Sequence, residues 1–475
     1  MPPHPASSAA QPHPLLLPAA LWLVVVIAAL ALRPLMPVDE TRYMTVAWEM
    51  GLRNDWLVPH LNGATYAHKP PLLFWLINIV WAVVGVHEWA GRLVPPLFGL
   101  ASLWMIVRLA RLIWPDDIAT ARRAPLILAG MGGFTFYGTL ATFDMMLTFL
   151  VLVGAVGALR AWRDEAWGWI VCGAALGLAI LTKGPVALVH ILPVPVLAPL
   201  WMAERPRAGW ARWYLALLGA IALGAAIGLA WAIPAARAGG PAYAAELLWG
   251  QTADRMVHAF AHREPVWWYL PFLPVILLPW PMVPALWRAA RRRPSAGERL
   301  CIAWIAAALI VFSAISGKQA QYMLPEIAPA ALLAARWLGG VRRLAWIAAA
   351  APSLVIAAHI AFAARYAPRY DLAPAAAFLA QAERDGHPLA HPPDYEGEYN
   401  FLGRLTRPLA ILGGPEAVAW AKANPKGFLL VPLDPALVPA DWKPVATFPD
   451  RDKTLTIWDT AAVIASDGKV MADRY

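Results

Sequence analysis

Five residues offer a first hold on chemistry, because each stands where a neutral residue would suit its surroundings better. The chain holds 31 Arg and only 8 Lys, so arginine is its default cation. Within the first 365 residues lysine occurs only at Lys69, Lys183 and Lys318. They lie in His68-Lys69-Pro70-Pro71, in Thr182-Lys183-Gly184-Pro185, and in Ser316-Gly317-Lys318 shortly before Tyr322. Asp144 interrupts the apolar stretch YGTLATFDMMLTFLVLV, and Asp39 opens the polar run Asp39-Glu40-Thr41-Arg42-Tyr43. Asp254-Arg255 supplies a further pair. A charge at membrane depth costs about 2.5–3.5 kcal/mol on insertion scales, so such a residue is a candidate for function. Lysines and arginines gathered on one face suit an anionic ligand, phosphate above all. Carboxylates opposite them suit the orientation or deprotonation of a second reactant. Together these are the parts of a transfer reaction with a phosphate leaving group.

Each residue alone has a simpler reading. A lysine at a helix end snorkels to the headgroups. Asp39 fits the N-cap of a helix beginning in VDETRYMTVAWEM, and Asp144 fits a cap at the start of its own apolar run. What argues for a site is that all of them fall on one side of a membrane.

That side follows from the elements that carry them. The chain is 475 residues long, 60% hydrophobic and 15% charged, with a mean hydropathy of +0.53. Soluble domains carry about 25% charged residues. The composition excludes disorder, collagen, a disulfide-stapled fold and a nucleic-acid module, and it predicts an all-α polytopic membrane protein. The two cysteines, Cys172 and Cys301, lie inside apolar runs and frame neither a disulfide network nor a metal site. Arginines cluster at 108–123, 160–163, 205–212, 288–299 and 336–343. The positive-inside rule puts all five clusters in the cytoplasm, and the net charge of +9 is then topological. Apolar runs at 15–32, 93–112, 124–140, 145–160, 167–181, 185–201, 213–235, 267–287, 300–316, 322–338 and 344–364 alternate about those loops. This predicts about 11 transmembrane helices, with the N-terminus inside. The run 15–32 reads as a first span and not a cleaved signal, because no Lys or Arg precedes it. Residues 71–86 (PLLFWLINIVWAVVGV) would reverse every later loop if they crossed. They read instead as a short helix within an external loop, 33–92.

The rest of the chain reads more coarsely. Residues 1–14 are small and Pro-rich, a disordered tail. Residues 366–475 hold five of the eight lysines and strand-like pieces such as GFLLVPL and KTLTIWD, and are expected to form a small soluble α/β domain on the outside. His60, His68, His258 and His262 share the external side, but the sequence supplies no convincing ligand set around them. No metal and no other cofactor is assigned; a divalent ion is possible in chemistry without support in spacing.

With these residues laid out, the chain resembles a known family. VDETRYMTVAWEMGLRNDWLVPHLNGATYAHKPPLLFWL is similar to the first periplasmic loop of bacterial GT-C glycosyltransferases of the lipid A aminoarabinose transferase group, relatives of the protein O-mannosyltransferases. ATFDMMLTF, LTKGP, ADRM followed by HREPVWWYLP, and SGKQAQYMLPEIAPAALL follow in the family's order, over about residues 35–335. The resemblance implies a GT-C fold with amphipathic helices in the long first periplasmic loop, in the bacterial inner membrane, with the active site facing the periplasm. It implies a polyprenyl-phosphate sugar as donor and Asp39 as the catalytic carboxylate, with Lys69, Arg255 and Tyr322 on the donor phosphate. Asp144, Lys183 and Lys318 occupy matching positions. The family carries an acid before the lysine of its KP motif, where this chain has His68, so the resemblance does not name the sugar.

The reading taken forward is a glycosyltransferase that moves a sugar to lipid A or another envelope lipid or glycan. Asp39 and Asp144 are the catalytic candidates; Glu40, Arg42, Tyr43, Lys69, Lys183, Arg255, Lys318 and Tyr322 are the candidates for substrate binding. The alternatives are a transporter or flippase for an anionic lipid or sugar, and a transferase acting on protein Ser/Thr. Transporters place charges near the midplane and show internal repeats; here the charges gather at one face. The expected partners are donor, acceptor and membrane lipid, with no nucleic acid.

Overall fold

The computed structural model describes residues 13–254, 264–339, 343–434 and 443–474. Arg255, His258 and His262 lie outside the described residues. The first helix, α1, is Leu16–Leu32, and α2 follows at Asp39–Arg53. Next come a two-stranded hairpin, β1 His60–Leu61 with β2 Ala64–Thr65, and α3 at Leu72–Val84. The chain then forms α4 Glu88–Ile113, α5 Ile118–Ala129, α6 Gly132–Tyr137, α7 Asp144–Trp162 and α8 Trp167–Lys183.

Six helical runs among the described residues are long and apolar enough to cross a membrane. They are Glu88–Ile113, Asp144–Trp162, Trp167–Val196, Gly209–Ala238, Ala296–Ala314 and Leu344–Arg365. Several of the eleven apolar runs are therefore not uninterrupted spanning helices. Pro and Gly explain the breaks. Residues 124–140 divide between α5 and α6, and residues 267–287 divide into Tyr269–Ile276, Trp280–Met282 and Pro284–Ala290. Proline removes a helix donor and clashes with the preceding turn; broken helices persist at membrane depth where protein buries the freed groups.

The 30-residue run Trp167–Val196 reverses direction within itself. Gly184 has φ +77°, a conformation that favours glycine. Before it, α8 ends with Lys183 bonded to Asp144, the first residue of α7. After it, the chain returns along α7 until Trp201 packs edge-on against Trp162 at the far end, ring centroids 5.4 Å apart. At 1.5 Å per residue α7 is about 28 Å long, so these contacts mark opposite ends of the helical body.

The Arg-rich segments meet at the end away from Asp144. Arg163 donates to the Leu112 carbonyl, Arg207 pairs with Asp164 at 3.1 Å, Arg299 reaches the Leu200 and Trp201 carbonyls, and Arg336 pairs with Asp117. Segments distant in sequence thus converge on one face, while α2 and α3 lie at the other. At 13 residues α3 is about 20 Å long, shorter than the roughly 30 Å hydrocarbon core. It packs against α2 through Asn78, which donates to the Ala47 carbonyl at 2.8 Å.

Residues 366–474 contain a five-stranded mixed sheet: β3 Leu389–His391, β4 Ala410–Ile411, β5 Phe428–Leu433, β6 Ala446–Asp450 and β7 Lys453–Asp459, in the order β4-β3-β5-β7-β6. The strand β5 pairs parallel to β3 and antiparallel to β7. Its continuous apolar run suits burial on both faces. Leu430 faces a core with Leu379, Tyr399 and Ile457, and Leu429 and Val431 face another with Ala417, Trp458 and Val463.

A buried ion pair joins the start of this architecture. Arg33, just past α1, donates to both oxygens of Glu40 at 2.5 and 3.1 Å, and the Nη2 that meets Oε1 also donates to the Thr139 carbonyl. Glu40 also accepts from the backbone N–H groups of Met36 and Ala141. Burial opposes the charge on Glu40, but Arg33 prevails and holds its carboxyl below the ordinary 4.5. This contribution to stability is fully present above about pH 4.5 and is lost as pH falls through the lower folded value. Glu40→Gln leaves Arg33 buried without its partner and is expected to cost about 3–5 kcal/mol. The measurement is the thermal midpoint of the purified chain in detergent against pH. The variant should lose stability near neutrality and show a flatter acid side; an unchanged curve contradicts the assignment.

Candidate active site

The site assembles where α2 begins. The backbone cap of α2 is Val38, with no side-chain cap bond, so the Asp39 carboxylate is not occupied in capping. It accepts instead from the Tyr43 hydroxyl at 3.2 Å and from Arg42, both on Oδ1. Positions i+3 and i+4 share a helix face, which explains the spacing in Asp-Glu-Thr-Arg-Tyr. Oδ2 has no partner among the described residues, and the side chain is half exposed.

Adjacent Asp39 and Glu40 thus do different work. Asp39 faces outward into the site, whereas Glu40 is 2% exposed and fully engaged with Arg33, Met36 and Ala141. The expectation that Glu40 binds substrate meets this geometry: Glu40 holds the start of α2 against the loop before α7.

That loop delivers the second carboxylate. Phe143 packs edge-on against Tyr43, centroids 4.9 Å apart, and Asp144 follows as the first residue of α7. Tyr43 therefore lies between the two acids. Burial, followed by the charge of Asp39, pushes its phenol well above the usual range, with Asp144 adding in the same direction. The cap of α7 is Phe143, again without a side-chain bond. Asp144 is buried and paired with Lys183. An acid at a helix N-terminus and a lysine at a helix C-terminus each suit the local dipole. Lys183 also lies over the Tyr322 ring, 4.7 Å from its centroid.

The structure thus brings together Asp39, Arg42, Tyr43, Asp144, Lys183 and Tyr322. Lys69 is half-buried in the bend between β2 and α3, the segment that also carries Tyr66, whose ring lies 5.1 Å from that of His68. His68 approaches Glu246 at 3.5 Å. Lys318 is near Tyr322 in sequence, and two of its three ammonium N–H groups donate to the Glu264 and Ile315 carbonyls at 2.9 and 2.6 Å. Among the described residues no group of three or more His, Cys, Asp or Glu could hold a metal ion.

One participant escaped the sequence. Glu396, more than three hundred residues away in DYEGEYN, accepts from the second arm of Arg42 at 2.8 Å. The acidic residues of that segment were visible, but nothing in their spacing points to α2; only the folded chain makes the pair.

The chemistry of this arrangement is asymmetric. Asp39 offers an open oxygen held by two donors on its other oxygen. Lys183 retains N–H donors beyond the one given to Asp144. A carboxylate with an open oxygen and a cation with N–H donors to spare therefore occupy one surface.

Residues 68–233 match a family model described as dolichyl-phosphate-mannose-protein mannosyltransferase. The chain is 32% identical over 310 residues to undecaprenyl phosphate-alpha-4-amino-4-deoxy-L-arabinose arabinosyl transferase 2 of Proteus mirabilis, covering 63% of this chain and 54% of that protein. It is 33% identical over 306 residues to the corresponding transferase of Pseudomonas aeruginosa, covering 62% and 54%. The chain spans about half the length of the curated relatives it matches. Its fold superposes on ArnT from Cupriavidus metallidurans in the apo state with a TM-score of 0.74, at 21% identity, over 94% of this chain and 98% of that one. Against the same protein bound to undecaprenyl phosphate the TM-score is 0.68, at 20% identity, over 93% and 97%. With six helical runs able to cross a bilayer, sequence similarity to the aminoarabinose transferases over about 63% of its length and the fold of ArnT shared over most of it, the chain is a membrane protein with an ArnT-like fold.

Proposed function

We propose that this protein is a glycosyltransferase that moves a sugar from an undecaprenyl-phosphate carrier to an acceptor outside the cytoplasm, lipid A being the acceptor the resemblance favours. The observation that carries the proposal is the pairing of two acids with separate tasks: Asp39 with an open oxygen at the head of α2, and Asp144 holding Lys183 beside Tyr322. The undecaprenyl phosphate in the relatives' names supplies the anionic group that such a lysine suits.

In this reading the bond between the anomeric carbon and the phosphate oxygen breaks, and the electron pair leaves with the phosphate. Lys183 and Lys69 offset the developing charge. An acceptor oxygen forms the new bond to the anomeric carbon. A hydroxyl acceptor passes its proton to Asp39, while a phosphate acceptor is already nucleophilic and needs Asp39 only for orientation. Tyr43 keeps its proton and braces the carboxylate. Arg255 belongs to the same proposal through the resemblance. The membrane domain, 15–365, would sit in the bacterial inner membrane with about eleven crossings. The site and residues 366–475 would face the periplasm, opposite the converging arginines.

A protein acceptor is the second reading, because the family model matched over residues 68–233 is named for protein mannosylation. Two measurements test the first. Mass spectrometry of lipid A and of polyprenyl phosphates, from cells lacking the gene and complemented with wild type or Asp39→Asn, should show a fixed sugar mass restored only by wild type; full restoration by Asp39→Asn contradicts the role of Asp39. With the purified chain, undecaprenyl phosphate-4-amino-4-deoxy-L-arabinose and lipid A, Lys183→Met should raise the donor KM by about tenfold or more, the loss of one charge-assisted hydrogen bond. An unchanged KM removes Lys183 from the phosphate site.

A further inference from the structure

The head of α2 is braced from a part of the chain that the catalytic reading does not use. Arg42 is a fork with one arm on Asp39 and the other on Glu396. It is 17% exposed, against 40% for Glu396 and 50% for Asp39, so the guanidinium is the buried centre of a carboxylate–arginine–carboxylate chain. A planar fork held by an acid at each end cannot turn without breaking one of the two contacts. Loss of Glu396 would release Arg42 and, with it, the orientation of the open Asp39 oxygen.

Glu396 is itself set firmly. Its backbone N–H donates to the buried Glu398 carboxylate at 2.8 Å. The next residue, Gly397, has φ +80°, and a Cβ there would stand 2.5 Å from the Leu61 side chain and 3.1 Å from that of Thr45. Its carbonyl accepts from the Thr45 hydroxyl at 2.7 Å, and the same hydroxyl accepts from the Phe401 N–H. Trp48 donates to the Leu405 carbonyl, Asn62 exchanges hydrogen bonds with Leu409, and Phe401 stacks on Trp81 at 5.2 Å. The exposed faces of α2, the hairpin and α3 are therefore docked on residues 396–409. Surface ion pairs contribute little when both partners are free to wander; here backbone contacts hold both ends.

We propose that Glu396 is a positioning residue for the Asp39 carboxylate, so that the C-terminal unit completes the active site through Arg42. This rests on the reading of Asp39 as the acceptor-orienting group. The unit then acts as more than an appendage: it supplies one of the charges that fix the geometry of the reacting surface. The groups facing Asp39 are Arg42 and Tyr43 from α2, Glu396 from the C-terminal unit, and, around Tyr43, Tyr66 and Asp144, the last paired with Lys183.

The test compares wild type, Glu396→Gln, Glu396→Asp and Asp39→Asn as purified full-length chains, with undecaprenyl phosphate-4-amino-4-deoxy-L-arabinose and lipid A. Glu396→Gln keeps the length of the side chain and removes its charge. Its kcat should fall about tenfold, the scale of one charge-assisted contact, with the donor KM unchanged because the phosphate is held elsewhere. Glu396→Asp keeps the charge and should recover part of kcat. A merely structural role would lower thermal stability or active fraction, leaving kcat per active enzyme unchanged and no difference between Glu396→Gln and Glu396→Asp. Wild-type kcat in Glu396→Gln, beside an inactive Asp39→Asn, would overturn the positioning role alone. An active Asp39→Asn would overturn the catalytic reading beneath it.

Discussion

The buried pair of Arg33 and Glu40 is the constraint on which the rest of the site depends. Removing two charges from water is costly unless they meet in good geometry with their remaining donors and acceptors satisfied. Here the acid is shared by Arg33 and by two backbone N–H groups, one at Met36 and one at Ala141. These partners belong to the exit of α1 and to the loop that leads into α7. Glu40 therefore determines how far Asp39, its neighbour, stands from Asp144, which follows Ala141 closely. Two acids from separate segments are brought to a common surface by a third that is itself buried.

The second organising feature is the helical packing that delivers Lys183. Helices α7 and α8 approach closely: a Cβ on Gly157 would stand 2.6 Å from the Cys172 backbone nitrogen, and one on Gly168 would stand 2.3 Å from the Gly157 carbonyl oxygen. Small residues at such a crossing allow dense packing in a medium that offers no hydrophobic drive between helices. The contact at one end of the pair sets the lateral position of Lys183 at the other. Gly184 then turns the chain back, so the lysine stands at a reversal and presents its ammonium between Asp144 and Tyr322.

Much of this was legible in the residues. Lys69 and Lys183 stood out because the membrane half otherwise uses arginine, and Asp144 because it interrupts an apolar run. The i, i+3 and i+4 relation of Asp39, Arg42 and Tyr43 was present in five consecutive letters. Glu40 was grouped with them because sequence cannot tell which side of a helix start meets protein; its burial depends on Arg33 and on a backbone group a hundred residues later. Lys318 shared the rarity of the other lysines, but its bonds to the Glu264 and Ile315 carbonyls left no mark in the sequence. Breaks in the apolar runs were signalled by proline, but hydropathy alone could not say which runs remain single helices. Glu396 was beyond reach, since a pair separated by most of the chain leaves no periodic trace.

The central claim is that the surface bearing Asp39, Asp144, Lys183 and Tyr322 receives the phosphate of a lipid carrier. The most direct test is a structure of this chain, in lipid nanodiscs, with undecaprenyl phosphate bound. The account predicts the phosphate within hydrogen-bond reach of Lys183 and beside Tyr322, with Asp39 Oδ2 left open toward the acceptor side. Density for the phosphate only at the arginine-lined opposite end, with Lys183 still closed on Asp144 and nothing near Tyr322, would contradict it.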